Sequence, residues 1–89
     1  MNLGKNWRVK IDASVYKVLR RFPKADAERI LLIIEDPSFN PYEGDIEKIK
    51  GEEHLWRRRI GAYRIFFEIY QHESVVHIFR AERRTSHTY

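Results

Sequence analysis

Arginine is the residue whose type and spacing suggest chemistry in this chain, and it is concentrated between residues 55 and 89. That segment contains seven arginines and no lysine against three glutamates, whereas residues 1–54 carry ten basic and ten acidic side chains. The surplus behind the net charge of +4 therefore lies entirely in this segment. Because the planar guanidinium forms paired hydrogen bonds with phosphates and carboxylates, the pattern predicts a nucleic acid or an acidic protein segment as partner.

The histidines are the side chains that titrate near neutral pH, but they do not form a metal site. No pair of them has metal-ligand spacing with a carboxylate partner, and the chain has no cysteine, so neither zinc nor disulfides are expected. His77, between apolar neighbours, is predicted to be a hydrogen-bonded packing residue, and His54 and His72 are predicted to lie in exposed loops. No motif for a cofactor is recognisable.

Residues 55–69 predict a β-hairpin that positions the first four arginines. Two runs rich in aromatic and β-branched residues flank Gly61-Ala62, which suits a tight turn. This register pairs Arg59 with Arg64 and Arg57 with Phe66. Alternation along the strands gives a core face made of Trp56, Ile60, Tyr63, Ile65, Phe67 and Ile69. The opposite face carries Arg57, Arg59, Arg64, Phe66 and Glu68.

The predicted pairing of Arg59 with Arg64 is unfavourable, because like charges opposite each other destabilise a sheet. An anionic partner outside the protein would explain why both arginines are present. The alternative is a solvated face neutralised by nearby carboxylates, for which Glu52, Glu53 and Glu68 are candidates.

The rest of the chain predicts a sheet covered by two helices. Residues 7–11 alternate as a half-buried strand, Asp12 suits a helix N-cap, and apolar stripes predict two helices separated by Pro23 and ended by Asp36-Pro37. Residues 46–50 and 75–80 predict two further strands beside the hairpin. The fold class is therefore α+β in the order β-α-α-β-β-β-β: an N-terminal strand, a two-helix hairpin and an antiparallel four-stranded portion.

This layering predicts that one sheet face is free of helices and basic. Its residues would be the three hairpin arginines, with Lys48 and Lys50 as candidates from the neighbouring strand. The basic tail that follows the last strand could fold over the same surface.

The size and composition predict one cytoplasmic domain over residues 1–89. A chain of this length has room for one modest core. Its longest apolar run, residues 30–34, is far shorter than a membrane span. The first residues lack an apolar segment of signal-peptide length.

The hairpin and tail resemble the RelE/ParE toxin superfamily along essentially the whole chain. The resemblance rests on Arg57-Arg58-Arg59-Ile60-Gly61-Ala62-Tyr63-Arg64 and on the closing run Arg83-Arg84-Thr85-Ser86-His87-Thr88-Tyr89. The tail with two arginines and a final tyrosine is similar to the RelE branch, whose members cleave mRNA in the ribosomal A site. The ParE branch, which inhibits DNA gyrase, shares the hairpin but generally lacks such a tail.

The resemblance implies a metal-independent ribonuclease in which the RNA 2′-hydroxyl attacks the adjacent phosphate. It implies catalytic roles for Arg57, Arg64, Arg83, His87 and Tyr89, with His87 and Tyr89 moving protons because arginine stays protonated. It implies RNA contacts from Lys48, Lys50, Arg59, Arg80 and Arg84.

The partners would be mRNA, the ribosomal A site and an acidic antitoxin that covers the basic face. Phe66 would stack on a base or enter an antitoxin pocket. The alternatives are a gyrase inhibitor and an RNA-binding module without catalysis.

Arg58 departs from the family pattern, because alternation places it on the core face where relatives usually have an apolar residue. Two explanations are open. Either a β-bulge near Gly61 redirects the side chain, or its stem lies along the sheet edge with the guanidinium in water.

Overall fold

The computed structural model describes residues 6–84, which form a five-stranded sheet with two helices packed on one face. The elements in chain order are β1 (Arg8–Ile11), α1 (Ala13–Leu19), α2 (Lys24–Ile34), β2 (Asp45–Lys48), β3 (Leu55–Ile60), β4 (Tyr63–Tyr70) and β5 (Val75–Arg83). The strand order is β1-β5-β4-β3-β2; β1 runs parallel to β5, and the other pairs are antiparallel. The predicted α+β fold and element order are confirmed.

The two helices begin and end where local chemistry requires it. Asp12 caps α1, since its carboxylate accepts a hydrogen bond from Ser14 N at 3.2 Å. Pro23 precedes α2, where its missing N–H costs nothing. Val15, Leu19, Ile30 and Ile34 are buried between the helices and the sheet. No helix in residues 6–84 is long and apolar enough to cross a membrane.

The hairpin forms the centre of the sheet in the predicted register. Ile60 pairs with Tyr63, Arg59 with Arg64 and Arg57 with Phe66. The predicted core face is correct: Ile60, Tyr63, Ile65, Phe67 and Ile69 are buried, and Trp56 packs against them at the margin. The opposite face has no helix of the described chain over it.

A β-bulge interrupts the pairing of β4 with β5. Phe66 pairs with Arg80 but Phe67 pairs with Ile78, so Phe79 is the extra residue on β5. Past the bulge, Ala81 faces the core and Glu82 lies opposite Arg64 on the open face. The strand also extends to Arg83, three residues beyond the predicted end.

The bulge is therefore not at Gly61, and the stem of Arg58 runs toward the edge strand β2, as the second explanation expected. Its pairing partners are Ile65 on β4 and Ile46 on β2, so its side chain starts on the helix-side face. From there it reaches the loop before β2, where a Cβ at Gly44 would lie 2.7 Å from Arg58 Cζ. Gly44, at φ +88°, is needed there for its conformation.

The placement of Lys48 on the open face is wrong, and β2 does not reach Lys50. β2 covers Asp45–Lys48 instead of residues 46–50, and Lys48 pairs with Trp56 on the helix-side face. Its Nζ donates a hydrogen bond to the Glu52 carbonyl at 2.9 Å. Lys50 lies beyond the strand, in the turn that precedes β3. This register places the acidic residues of β2 beside the arginines of β3, which is the favourable arrangement of charge.

Candidate active site

Four of the predicted site residues line one cavity on the open face. The cavity has a volume of about 220 Å³ and is lined by Arg57, Arg59, Arg64, Arg84, Asp45 and Glu47. β3 supplies the first two arginines and β4 the third. Arg84 is held at the end of β5 by a hydrogen bond from its N–H to the Ala62 carbonyl. Four cations and two carboxylates leave an excess of positive charge in this cavity.

Carboxylates on both neighbouring strands offset the repulsion between Arg59 and Arg64. Arg59 Nε lies 2.9 Å from Asp45 Oδ2, and Arg64 Nη2 lies 2.9 Å from Glu82 Oε2. Arg57 Nε donates to Glu47 Oε1 at 3.1 Å. The sequence-based alternative of a neutralised face is thus correct in part, but none of its three proposed carboxylates is an arginine partner among these ion pairs, and Glu68 binds His77 instead.

Arg64 is the most constrained arginine of the cavity. Its side chain is only 30% exposed, and its Nε is a buried polar atom without a hydrogen-bond partner in the described chain. An unpaired buried donor costs free energy that an acceptor could recover.

Arg80 adjoins this cavity through a shared carboxylate. Its guanidinium lies 5.5 Å from the centroid of the Phe66 ring, and its Nη2 lies 2.9 Å from Glu82 Oε1. Because Glu82 also binds Arg64, one carboxylate fixes both arginines. Glu82 was not among the predicted site residues, and only the bulge in β5 brings it opposite Arg64.

Arg83 lies on the opposite side of the sheet from the cavity. It pairs with Tyr63, and its guanidinium is 5.9 Å from the Tyr63 ring on the helix-side face. Tyr63 donates a hydrogen bond to Asp26 at 2.6 Å, which raises the pKa of Tyr63. The expectation that Arg83 joins the hairpin arginines is therefore wrong for its position, because strand alternation after the bulge directs Arg83 away from the open face.

The histidine predictions are confirmed where the structure describes them. His77 is half-buried and its Nδ1 lies 3.0 Å from Glu68 Oε1, while His54 and His72 are exposed. Within residues 6–84, no group of three or more histidine, aspartate or glutamate side chains could hold a metal ion. His87 and Tyr89, the predicted proton-transfer residues, lie outside the described residues.

Comparisons with known sequences identify the family. A model described as the ParE toxin of the type II toxin-antitoxin system parDE matches residues 7–85. A curated protein of Methanocaldococcus jannaschii, named as a candidate toxin RelE1, is 27% identical over 81 residues, which are 88% of this chain and 90% of the relative.

Solved structures agree with this result. The archaeal RelE–RelB complex from Pyrococcus horikoshii OT3 has a TM-score of 0.74 and 29% identity over 90% of this chain and 97% of its own. The RelB–RelE antitoxin–toxin complex from Methanococcus jannaschii has a TM-score of 0.68 and 31% identity over 83% and 88%. The RelBE2 complex of Mycobacterium tuberculosis, at 20% identity and a TM-score of 0.75 over 90% and 100%, supports the fold alone.

These matches extend from the first strand to the start of the tail and include the hairpin that builds the cavity. The chain therefore belongs to the ParE toxin family of type II toxin-antitoxin systems, within the RelE/ParE superfamily.

Proposed function

We propose that this toxin is a ribosome-dependent endoribonuclease that cleaves mRNA in the ribosomal A site. The observation that carries the proposal is the cavity in which four guanidinium groups meet, those of Arg57, Arg59, Arg64 and Arg84. Such a set of guanidinium donors suits a phosphate whose charge increases during the reaction. The similarity to RelE proteins supports RNA as the source of that phosphate.

The reaction needs no group beyond the RNA and the side chains. The 2′-oxygen of one nucleotide forms a bond to the adjacent phosphorus while the bond from phosphorus to the 5′-oxygen breaks. A base removes the 2′-proton and an acid protonates the departing 5′-oxygen. The products are a 2′,3′-cyclic phosphate and a 5′-hydroxyl end.

The cavity arginines would stabilise charge in this reaction without transferring protons. Arg57 and Arg64 would hold the non-bridging oxygens, since guanidinium stays protonated, and Arg59 and Arg84 would hold neighbouring phosphates. The phosphate would compete with Glu47 and Asp45 for their arginines. Proton transfer is proposed for His87 and Tyr89. From the helix-side face, Arg83 would contact RNA around the hairpin turn.

An antitoxin would silence the toxin by covering the open face. The relatives in the solved complexes are bound to antitoxins, and the excess positive charge of the cavity favours an acidic segment as the inhibitor. Such a segment would occupy the arginines that RNA needs.

Primer extension on mRNA from a cell-free translation reaction tests the proposal. We expect cuts within A-site codons when the protein is present and no cuts on naked mRNA. His87→Ala and Tyr89→Phe should each abolish or strongly reduce the cuts. An absence of cuts with and without ribosomes would refute the nuclease.

Gyrase inhibition is the second candidate, because the matching family model is that of ParE toxins. A gyrase supercoiling assay distinguishes it. Inhibition that persists in the His87→Ala and Tyr89→Phe variants, together with intact mRNA, would assign the protein to that activity instead.

A further inference from the structure

The β-bulge in β5 gives the open face a feature that the hairpin alone does not provide. In an unbroken ladder, one residue of β5 would lie opposite Phe66. Here both Phe79 and Arg80 are at that level, because Phe79 is the extra residue. The bulge therefore places a second aromatic residue and Arg80 level with Phe66, whose neighbours Arg57 and Arg64 line the arginine cavity.

Both rings belong to the open face. The Phe79 ring centroid lies 6.0 Å from that of His77, whose Nδ1 is bonded to Glu68 on this face. Phe66 and Phe79 are each half-buried, and neither is part of the hydrophobic core formed within residues 6–84. Their exposed ring surface thus does not serve the packing of the helices.

Arginines surround Phe66 on three sides. Arg57 is its partner on β3, Arg80 is its partner on β5, and Arg64 lies two residues before it on β4. Arg80 is 63% exposed at the side chain, yet its guanidinium is held near the ring by the hydrogen bond to Glu82. An aromatic ring with a fixed guanidinium over it is suited to a nucleobase, since bases stack on both kinds of plane.

We propose that Phe66, Phe79 and Arg80 form a subsite for an unpaired nucleobase next to the phosphate held in the arginine cavity. The subsite deepens the proposed function, on which it rests for RNA as the ligand. One nucleotide would span both parts, with its base on the rings and its phosphate at Arg57 and Arg64. The arginines around the rings favour RNA over an apolar protein segment as the occupant.

Binding of an RNA that cannot be cleaved tests this subsite separately from catalysis. The probe is a fluorescein-labelled hexanucleotide of 2′-O-methyl RNA, which has no free 2′-hydroxyl to attack, measured by fluorescence anisotropy. A second hexanucleotide has the same backbone but abasic positions. We expect Phe66→Leu and Phe79→Leu each to weaken binding of the complete oligonucleotide about fivefold or more. The affinity of the same variants for the abasic hexanucleotide should change by less than about twofold.

Two further variants control for folding and for aromatic chemistry. Tyr70→Leu removes a ring from the same face of β4, two positions beyond Glu68, and should leave both affinities unchanged. Phe79→Trp keeps a ring and should restore base-dependent binding. Thermal unfolding of every variant verifies the fold.

The outcomes separate the subsite from the nuclease. Base-dependent losses in a protein that makes no cuts would support the subsite and refute the nuclease. Leucine variants that bind both oligonucleotides like the wild type would overturn the subsite and assign the rings to a protein partner. Equal losses on both oligonucleotides would overturn it too, because the effect would not depend on the bases.

Discussion

At the scale of single residues, Arg64 shows why the identity of a cation matters in this cavity. Lysine would supply the same charge, but only arginine places an N–H at the buried Nε position while its outer nitrogen binds Glu82. The sequence predicted the importance of Arg64 from its place in the hairpin. It could not reveal the unpartnered Nε, which depends on burial in the folded sheet.

Arg64→Lys should therefore reduce activity more than stability. We expect A-site cleavage to fall about tenfold or more, because a donor to the reacting phosphate is lost. The unfolding midpoint in urea should stay the same or rise slightly, since a buried unpaired donor is removed. Arg20→Lys, at the exposed end of α1, is the control and should change neither. Equal cleavage by Arg64→Lys and the wild type would show that charge alone suffices.

At the scale of elements, local sequence signals were sufficient to predict the hairpin, the helices and the element order. Turn residues, caps and apolar alternation are encoded by neighbours in sequence, so the pairing of Arg59 with Arg64 and the cap at Asp12 were both predicted correctly. The position of Lys48 and the bulge at Phe79 were not. Both depend on how strands far apart in sequence align, and no short-range pattern determines that alignment.

Two glycines allow the free-energy cost of a left-handed turn conformation to be separated from the cost of a steric clash with an added Cβ. Gly61 has φ +59° and a Cβ there would meet Arg29 Nη2, whereas Gly51 has φ +86° and open space around it. We expect Gly51→Ala and Gly61→Ala each to lower the free energy of unfolding by about 1–2 kcal/mol, because alanine resists the left-handed region. The Arg29 guanidinium can move, so the two losses in urea denaturation should be similar.

Two results would contradict the prediction for these glycines, and each would have a different meaning. An unchanged free energy for Gly51→Ala would mean that the turn adopts another conformation. A much larger loss for Gly61→Ala that disappears in the Arg29→Ala background would show that Arg29 is fixed over the turn.

At the scale of the whole molecule, the positive surplus of residues 55–89 is spread over both faces of the sheet. The helix-side face receives Arg58 and Arg83, and the open face receives the cavity arginines together with acidic partners from β2. The surface that was predicted to be basic is thus a set of ion pairs with a small excess of positive charge. Asp45 and Glu47 are exposed, so their ion pairs contribute little to the stability of the fold. Under the proposed function, both carboxylates would compete with RNA phosphates for Arg59 and Arg57.

Removing these two carboxylates should strengthen RNA binding. In Asp45→Asn/Glu47→Gln, two arginines become free for phosphates, so affinity for the 2′-O-methyl hexanucleotide should rise at low salt. The slope of log affinity against log salt concentration should become steeper by about 0.7 for each new phosphate contact. The free energy of unfolding should fall by no more than about 1 kcal/mol for each exposed pair.

A matched double variant decides whether position or net charge causes the gain. Glu52→Gln/Glu53→Gln removes the same charge from the turn between β2 and β3, where neither residue lines the cavity. If the carboxylates of β2 compete directly with RNA, this control should gain much less affinity, because surface charges farther apart than the Debye length are largely screened. Equal gains in affinity and equal salt slopes in the two double variants would instead mean that RNA binding depends only on the net charge of the protein. The ion pairs of the cavity would then have no part in controlling access to its arginines.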